Sequence, residues 1–314
     1  MNKRYDDEQR PITSKHENSL FFPVIKLVDG QQKEIGVTAP DGRFFPFAED
    51  ERFIEIRNTG QNKRAPFIEL SNGERVPFQE WRARQVVKNS EALSSAEPHF
   101  RELFREILIE FPELDQVEII NGDRKKFPVL EHTGGFWQRP DEIGSKPKII
   151  VDRLSAATFK PLFATREISA FAAAEKIGIE YEQLKKNPVI LGLFIFAHEL
   201  GHVWDFISNY QNVKNQLEGY NPIEENRLDR QLEMESLPVR GVNPVTVKKK
   251  LDDGSLDEYY KKNATYYRDM KIQNAPDLLT AHENAYRKLP SEAYADDFAA
   301  HVVRKYLQKI GIIA

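Results

Sequence analysis

The feature that most constrains this chain is a long apolar segment that ends in ionisable side chains. Asn187 and Pro188 open it, Val189 to Ala197 carry no polar side chain, and His198-Glu199-Leu200-Gly201-His202 closes it. Asn187 suits a helix N-cap and Pro188 the first helical position, so the segment is expected to be a helix. Its apolarity predicts a place in the core. Residues four apart share one helix face, so His198 and His202 can reach a single metal ion together. Glu199 then sits where it could hold a water on that ion. The blander reading, two surface histidines on an amphipathic helix, fits poorly. Burying two imidazoles and a carboxylate costs several kcal/mol unless they are paired or ligate a metal.

The composition is that of an ordinary folded protein, 40% hydrophobic and 30% charged, with length enough (314 residues) for two domains. The net charge is −4. The first 94 residues carry 15 basic and 15 acidic side chains, and the remainder 30 and 34, so neither part is a polyanion-binding surface and no nucleic-acid partner is expected. With no cysteine, disulfide frameworks, thiolate metal sites and cysteine nucleophiles are all excluded. The N-terminus, Met-Asn-Lys-Arg-Tyr-Asp-Asp-Glu, lacks the apolar core of a signal peptide. The run Pro188–Ala197 is about half the length needed to span a bilayer. The expectation is a cytoplasmic protein with no membrane partner. Export by a route that needs no N-terminal signal stays open.

In chain order, residues 1–19 are polar and charged and read as a disordered tail. Residues 20–90 read as a β-rich domain with an internal repeat. Ile25-Lys-Leu-Val-Asp-Gly30 matches Ile54-Glu-Ile-Arg-Asn-Thr-Gly60, and Asp41-Gly42-Arg-Phe-Phe-Pro46-Phe47 matches Asn72-Gly73-Glu-Arg-Val-Pro77-Phe78. Each copy alternates apolar and polar positions around Gly-containing turns, as hairpins do. The domain is read either as a structural module or as a binding appendage, the latter if Phe44, Phe45, Phe47 and Trp81 cluster on its surface.

From residue 95 to 314 the pattern changes. Phe100, Leu103, Phe104, Ile107, Leu108 and Phe111 recur at helical spacing up to Pro112. Val117–Gly122, Phe127–Glu131, Gly135–Gln138 and Lys148–Asp152 are strand candidates. Thr165–Lys176 and Tyr181–Lys186 read as helices leading into the motif helix. Residues 209–275 turn polar and are expected to form an insertion over a cleft, where they could set substrate choice. The short run Lys248–Lys250, followed by acids, reads as a solvated face. The fold class is therefore α+β, a small hairpin-repeat domain followed by a larger mixed domain that carries the motif helix.

Two histidines leave a zinc-type ion short of its usual three protein ligands and one open position. The best third ligand is Glu292, in the first turn of a helix opened by Pro290 and continuing towards Leu307. Asp296 lies one turn further on the same face and is the alternative. Ala293, Ala295, Ala299 and Ala300 make this helix slim enough to pack tightly on another.

His-Glu-x-x-His followed by Glu292-Ala-Tyr-Ala-Asp296 resembles the catalytic helices of the gluzincin metallopeptidases. It is similar to the anthrax lethal factor-like peptidases and to the ImmA/IrrE family, over about 50 residues in two blocks. A helix, a small sheet and then the motif helix is also the element order of a zincin-like catalytic domain. In that fold an edge strand beside the cleft pairs with an extended peptide, here Gly134–Gln138 or Lys148–Asp152. The resemblance implies that His198, His202 and Glu292 hold Zn2+ and that Glu199 is the general base. It implies that Asp296 orients a histidine ligand, and Asp205 is a candidate for similar work, with a plain helix-surface carboxylate as its other reading. An oxyanion donor is expected near the cleft, with Tyr286 the first choice and Tyr294 and His282 the alternatives. His301 reads as a surface or core histidine. The expected function is a zinc-dependent endopeptidase acting on a protein or peptide substrate. The alternative is a zincin-fold regulatory protein that captures a partner with little turnover.

Overall fold

The internal repeat folds as two copies of one unit. Strands β1 (Phe22–Val28), β2 (Gln31–Thr38) and β3 (Phe44–Pro46) form one antiparallel sheet, and β4 (Arg52–Asn58), β5 (Lys63–Glu69) and β6 (Arg75–Pro77) form a second with the same order. The computed structural model describes residues 22–28, 31–38, 43–48, 51–58, 63–212 and 219–313. The expected tail at 1–19 and the Gly-containing turns at 29–30, 41–42 and 59–60 lie outside them. The described turn is at Asn72-Gly73. Gly73 takes φ +80°, which a Cβ would disfavour, while Asn72 Oδ1 accepts from the Glu74 N–H at 2.9 Å.

The core of this unit contains Val37 of β2 and its repeat counterpart Ile68 of β5, both fully buried, with Val76, Phe78 and Trp81. Phe78 and Trp81 belong to α1 (Phe78–Asn89). The rings of Phe45 and Phe47 meet Phe78 and Trp81 edge-on. The aromatics singled out in the sequence are thus mainly core, and of them Phe44 is exposed.

The chain divides into two compact units. One runs up to Ser90 and takes in Phe104–Asp115; the other holds Glu91–Leu103 and continues from Gln116. The sequence alone places residues 104–115 with the second domain. Part of the physical reason for the observed grouping is Asp115, whose carboxylate pairs with both Arg43 and Arg82.

The larger unit begins with α2 (Glu91–Ser94) and the start of α3 (Pro98–Glu110). Its sheet has the order β7 (Glu118–Asn121), β9 (Lys148–Val151), β8 (Gly135–Gln138). β7 runs parallel to β9, and β8 is an antiparallel edge strand paired from Gly135↔Val151 to Gln138↔Lys148. Of the two edge candidates, 135–138 is the edge and 148–151 is central. The strand expected at Phe127–Glu131 is instead a turn leading into α4 (Leu130–Thr133). The Asp123 carboxylate and carbonyl accept from the N–H groups of Lys125, Lys126 and Phe127 and curl the chain there.

The helices α5 (Ala156–Phe159), α6 (Leu162–Thr165), α7 (Glu167–Ile177) and α8 (Tyr181–Lys186) lead to α9 (Pro188–Phe206), which ends in a π-helical turn, Ile207–Gln211. Pro188 opens α9 as expected, but the Asn187 side chain makes no capping bond. Pro188–Gln211 is long and apolar enough to cross a membrane, yet 83% of its most apolar window is buried inside the protein, as in a core helix. Then come α10 (Pro222–Glu235), α11 (Pro244–Asp252), α12 (Ser255–Lys262), α13 (Ala264–Asp269), α14 (Ala275–Arg287) and α15 (Pro290–Lys309). The architecture is α+β.

α9 packs along α15. A Cβ on Gly201 would lie 2.8 Å from Ala295 Cα and 3.0 Å from its carbonyl oxygen. Both are backbone atoms that cannot swing aside. Gly201→Ala is therefore expected to be destabilising in spite of the gain of about 1 kcal/mol in helix propensity. The net loss should be about 1–2 kcal/mol, since overpacking a tight contact costs about 1–3 kcal/mol, and urea denaturation would measure it.

Segment 237–289 has its own small core of Val239, Val247, Leu256, Tyr267, Ile272 and Leu278. His282 sits against it, fully buried. Its Nδ1 accepts from the Val239 N–H at 3.2 Å, and its Nε2 faces the Val242 carbonyl at 2.9 Å. Burial pulls its pKa from 6.5 down to about 4, with the Val242 carbonyl opposing. The folded state therefore keeps the ring neutral. Stability is complete above pH 6.5, where both states are neutral, and falls as pH drops from 6.5 towards 4, where the unfolded chain takes up the proton first. The expected loss is on the order of 2–3 kcal/mol between pH 6.5 and 4. His282→Gln should flatten that part of the stability profile.

Candidate metal centre

The apolar face of α9 drives it into the core, and this carries the two motif histidines inward. One helical turn apart, their rings lie 4.7 Å between centroids and nearly perpendicular. His198 Nε2 and His202 Nε2 are 3.1 Å apart. Pro290 opens α15, and Glu292 lies in its first turn, 5% exposed. Its carboxylate oxygens lie 3.4 Å from His198 Nε2 and 3.5 Å from His202 Nε2. Three ligand atoms on a tetrahedral ion with bonds of about 2.0–2.1 Å stand about 3.3–3.4 Å apart. The triangle of His198, His202 and Glu292 has that size, so its side chains fit a metal ion.

The surrounding bonds orient each member. Asp296 Oδ1 lies 2.9 Å from His198 Nδ1, and Asp296 Oδ2 accepts from Arg287 at 2.7 Å. A carboxylate there requires the imidazole proton on Nδ1, which leaves the Nε2 of neutral His198 as a lone pair facing the triangle. Burial disfavours charge on His198, but Asp296 and Glu292 outweigh it and raise its pKa. The same negative potential that draws a proton to Nε2 would draw a cation. Burial lowers His202, with the charge on its neighbour His198 adding to the effect. Burial would also raise Glu292, but His202, His198 and Arg230 outweigh it and hold it well below the ordinary range, ionised.

Glu199 points into the same cavity. Its Oε2 accepts from the Trp137 backbone N–H of β8 at 2.8 Å. The Trp137 ring stacks on His202 at 6.1 Å, so one residue of the edge strand positions both. Surrounding protein pushes the Glu199 carboxyl up to about 7, with Glu292 adding and His198 opposing. That is the range in which a carboxylate serves as a base at neutral pH.

Tyr286, in the last turn of α14, lines the cavity and accepts from Arg230 Nη2 at 2.9 Å. Burial and the Glu292 charge keep its hydroxyl protonated. The alternatives Tyr294 and His282 do not line this cavity. Asp205 is buried, and its described bond is from Asn209 Nδ2 at 2.5 Å. Asp205 and His202 share a small cavity beside the centre. His301 is exposed on α15.

Three contributors carry no legible sequence signal. Arg230 of α10 bonds Glu292, Ser291, Glu233 and Tyr286. It lies in a charged helix 62 residues before its main partner. Arg287 and Trp137 are as inconspicuous. Together the residues enclose a cavity of roughly 290 Å3, which Asn243, Pro244 and Val245 from segment 209–275 also line. No family model, curated protein or solved structure matches this chain.

The protein is expected to bind one divalent ion per chain, with zinc as the probe ion. Glu292→Ala should weaken binding most, because it removes a ligand atom. Asp296→Asn should weaken it by about 10–100-fold, since it removes only the group that orients His198. Titration against a competing chelator would measure both, and unchanged affinity in Glu292→Ala would overturn the ligand assignment.

Proposed function

We propose that this chain is a zinc-dependent endopeptidase of the zincin type, similar to the gluzincins. The observation that carries the reading is the joint placement of His198, His202 and Glu292 with Glu199 in one cavity beside an antiparallel edge strand. A His-His-Glu donor set favours zinc among the available divalent ions. Three protein ligands leave the open position that hydrolysis needs, whereas purely structural zinc sites are closed by four.

When bound, the ion supplies Lewis acidity, which acidifies water and polarises a peptide carbonyl. Glu199, fixed by the Trp137 N–H, takes one proton from the attacking water as its oxygen bonds to the carbonyl carbon. It then delivers that proton to the departing amine as the C–N bond breaks. Tyr286 is the donor for the negative charge that develops on the carbonyl oxygen, and Arg230 at its oxygen holds it in place. Arg230 also keeps the Glu292 carboxylate directed. β8 is the strand on which an extended peptide would lie.

The test is Glu199→Gln. It should retain zinc at one ion per chain and lose about 10²–10⁴-fold in peptide cleavage, because only proton transfer is removed. Full activity in this variant would sink the mechanism. Zinc-loaded protein that captures a cellular protein without cutting it would replace the peptidase reading by a regulatory one.

A further inference from the structure

Three guanidinium groups line the cavity: Arg166, Arg230 and Arg287. Two are already answered by carboxylates of the site. Arg230 pairs with Glu292 and Glu233, and Arg287 pairs with Asp296. Arg166 is different. Its side chain bonds Ser169 Oγ at 3.1 Å and makes no ion pair among the described residues. A guanidinium offers five N–H donors in a fixed fork, so most of its capacity is unspent.

The position of Arg166 is not incidental. It stands at the junction of α6 and α7, half-buried, with Leu162, Ala170, Ala173, Leu191 and Phe194 as the apolar wall of the same cavity. An ionic contact is stronger against such a wall than in open water. A second cavity of roughly 340 Å3 shares Arg166, Pro244 and Val245 with the first, so the two meet at this side chain. The second is lined by Lys248 and Lys249 together with Asp252 and Glu283. Lys248 is committed to Asp252. The field of Arg166 reaches Glu199 and Glu283, but neither carboxylate comes within ion-pair distance of it.

We infer that Arg166 is a specificity-determining residue that takes a carboxylate of the peptide beside the scissile bond. This rests on the peptidase reading for the nature of the substrate. A carboxylate matches the planar fork in two parallel hydrogen bonds, as an amide or ammonium cannot. The carboxylate comes either from an Asp or Glu side chain or from the free C-terminus of a short peptide.

The experiment has two readouts. The first is cleavage of end-blocked peptides carrying Asp or Glu at successive positions, against the Asn and Gln isosteres, and of free-acid against amidated C-termini. The second is binding of the same peptides to zinc-loaded Glu199→Gln protein. The zinc-loaded wild type should prefer the carboxylate peptides by about tenfold or more, mainly through KM, the equivalent of about 1.4 kcal/mol. Preference for internal acids identifies the side-chain source, and preference for free-acid ends identifies the terminal one. Arg166→Gln should lose the preference, with the ratio of acidic to neutral cleavage falling about tenfold towards one. Arg166→Lys should keep part of it, and Arg166→Glu should turn it towards Lys-containing peptides. A general folding defect would lower all substrates alike, so the split between acidic and neutral peptides isolates the role. Cleavage without preference, unchanged in Arg166→Glu, overturns the inference and leaves the peptidase reading standing. Selective binding that depends on Arg166, with no cleavage by the wild type, does the reverse. Folded, zinc-loaded protein that neither binds nor cuts any of the peptides overturns both.

Discussion

The candidate metal centre depends on how closely two helices approach at Gly201. His198 and His202 lie on one stripe of α9, and Glu292 and Asp296 lie one turn apart on α15. A separation of 3.4–3.5 Å between Glu292 and the imidazole nitrogens exists because nothing larger than hydrogen stands between Gly201 and the Ala295 backbone. Helix axes are held apart by the side chains at their contact. A side chain at Gly201 would push α15 away and move the carboxylate out of reach of a shared ion. The two uncommitted letters of His-Glu-x-x-His are therefore not equivalent here. Leu200 is core filling, and Gly201 sets the distance between the two halves of the site.

Charge balance is the second constraint. Glu292 and Asp296 are nearly inaccessible carboxylates, and buried charge is tolerated only when it is paired and hydrogen-bonded. Arg230 and Arg287 meet this need from outside the ligand triangle, and the imidazoles meet it from inside. Each arginine also orients a group: Arg230 fixes Glu292 and Tyr286, and Arg287 fixes the acid behind His198. Segment 209–275 is thus part of the site, because α10 supplies Arg230 and the start of α11 closes the cavity wall. The edge strand contributes through Trp137, whose N–H aligns Glu199 and whose ring covers His202.

Much of this was legible in the residues. The helix carrying the motif, the strands at 135–138 and 148–151 and the helix carrying Glu292 all announce themselves by local pattern, since periodicity and punctuation are local properties. The repeat could be read because two copies of one hairpin unit keep the same alternation and the same turn residues. Phe127–Glu131 misled, because a short apolar run near a proline suits a strand, while the hydrogen bonds of Asp123 close a turn instead. Asn187 held the position of a cap without making its bond. Arg230, Arg287, Trp137 and Arg166 could not be found this way. An arginine in a charged helix, or a tryptophan in a four-residue strand, looks the same wherever it points.

The sequence by itself determined the side chains that each helix carries: two imidazoles and a carboxylate on one apolar helix, and a carboxylate pair four residues apart on another. Helical geometry alone brings residues four apart together, so each half of the centre was specified within a few residues. Tertiary structure decided which acid faces the histidines, which arginines answer the carboxylates and which one makes no ion pair among the described residues. Those choices are made between groups tens of residues apart in the chain. They depend on the approach of α9 and α15 and on the path of segment 209–275, which no local pattern encodes.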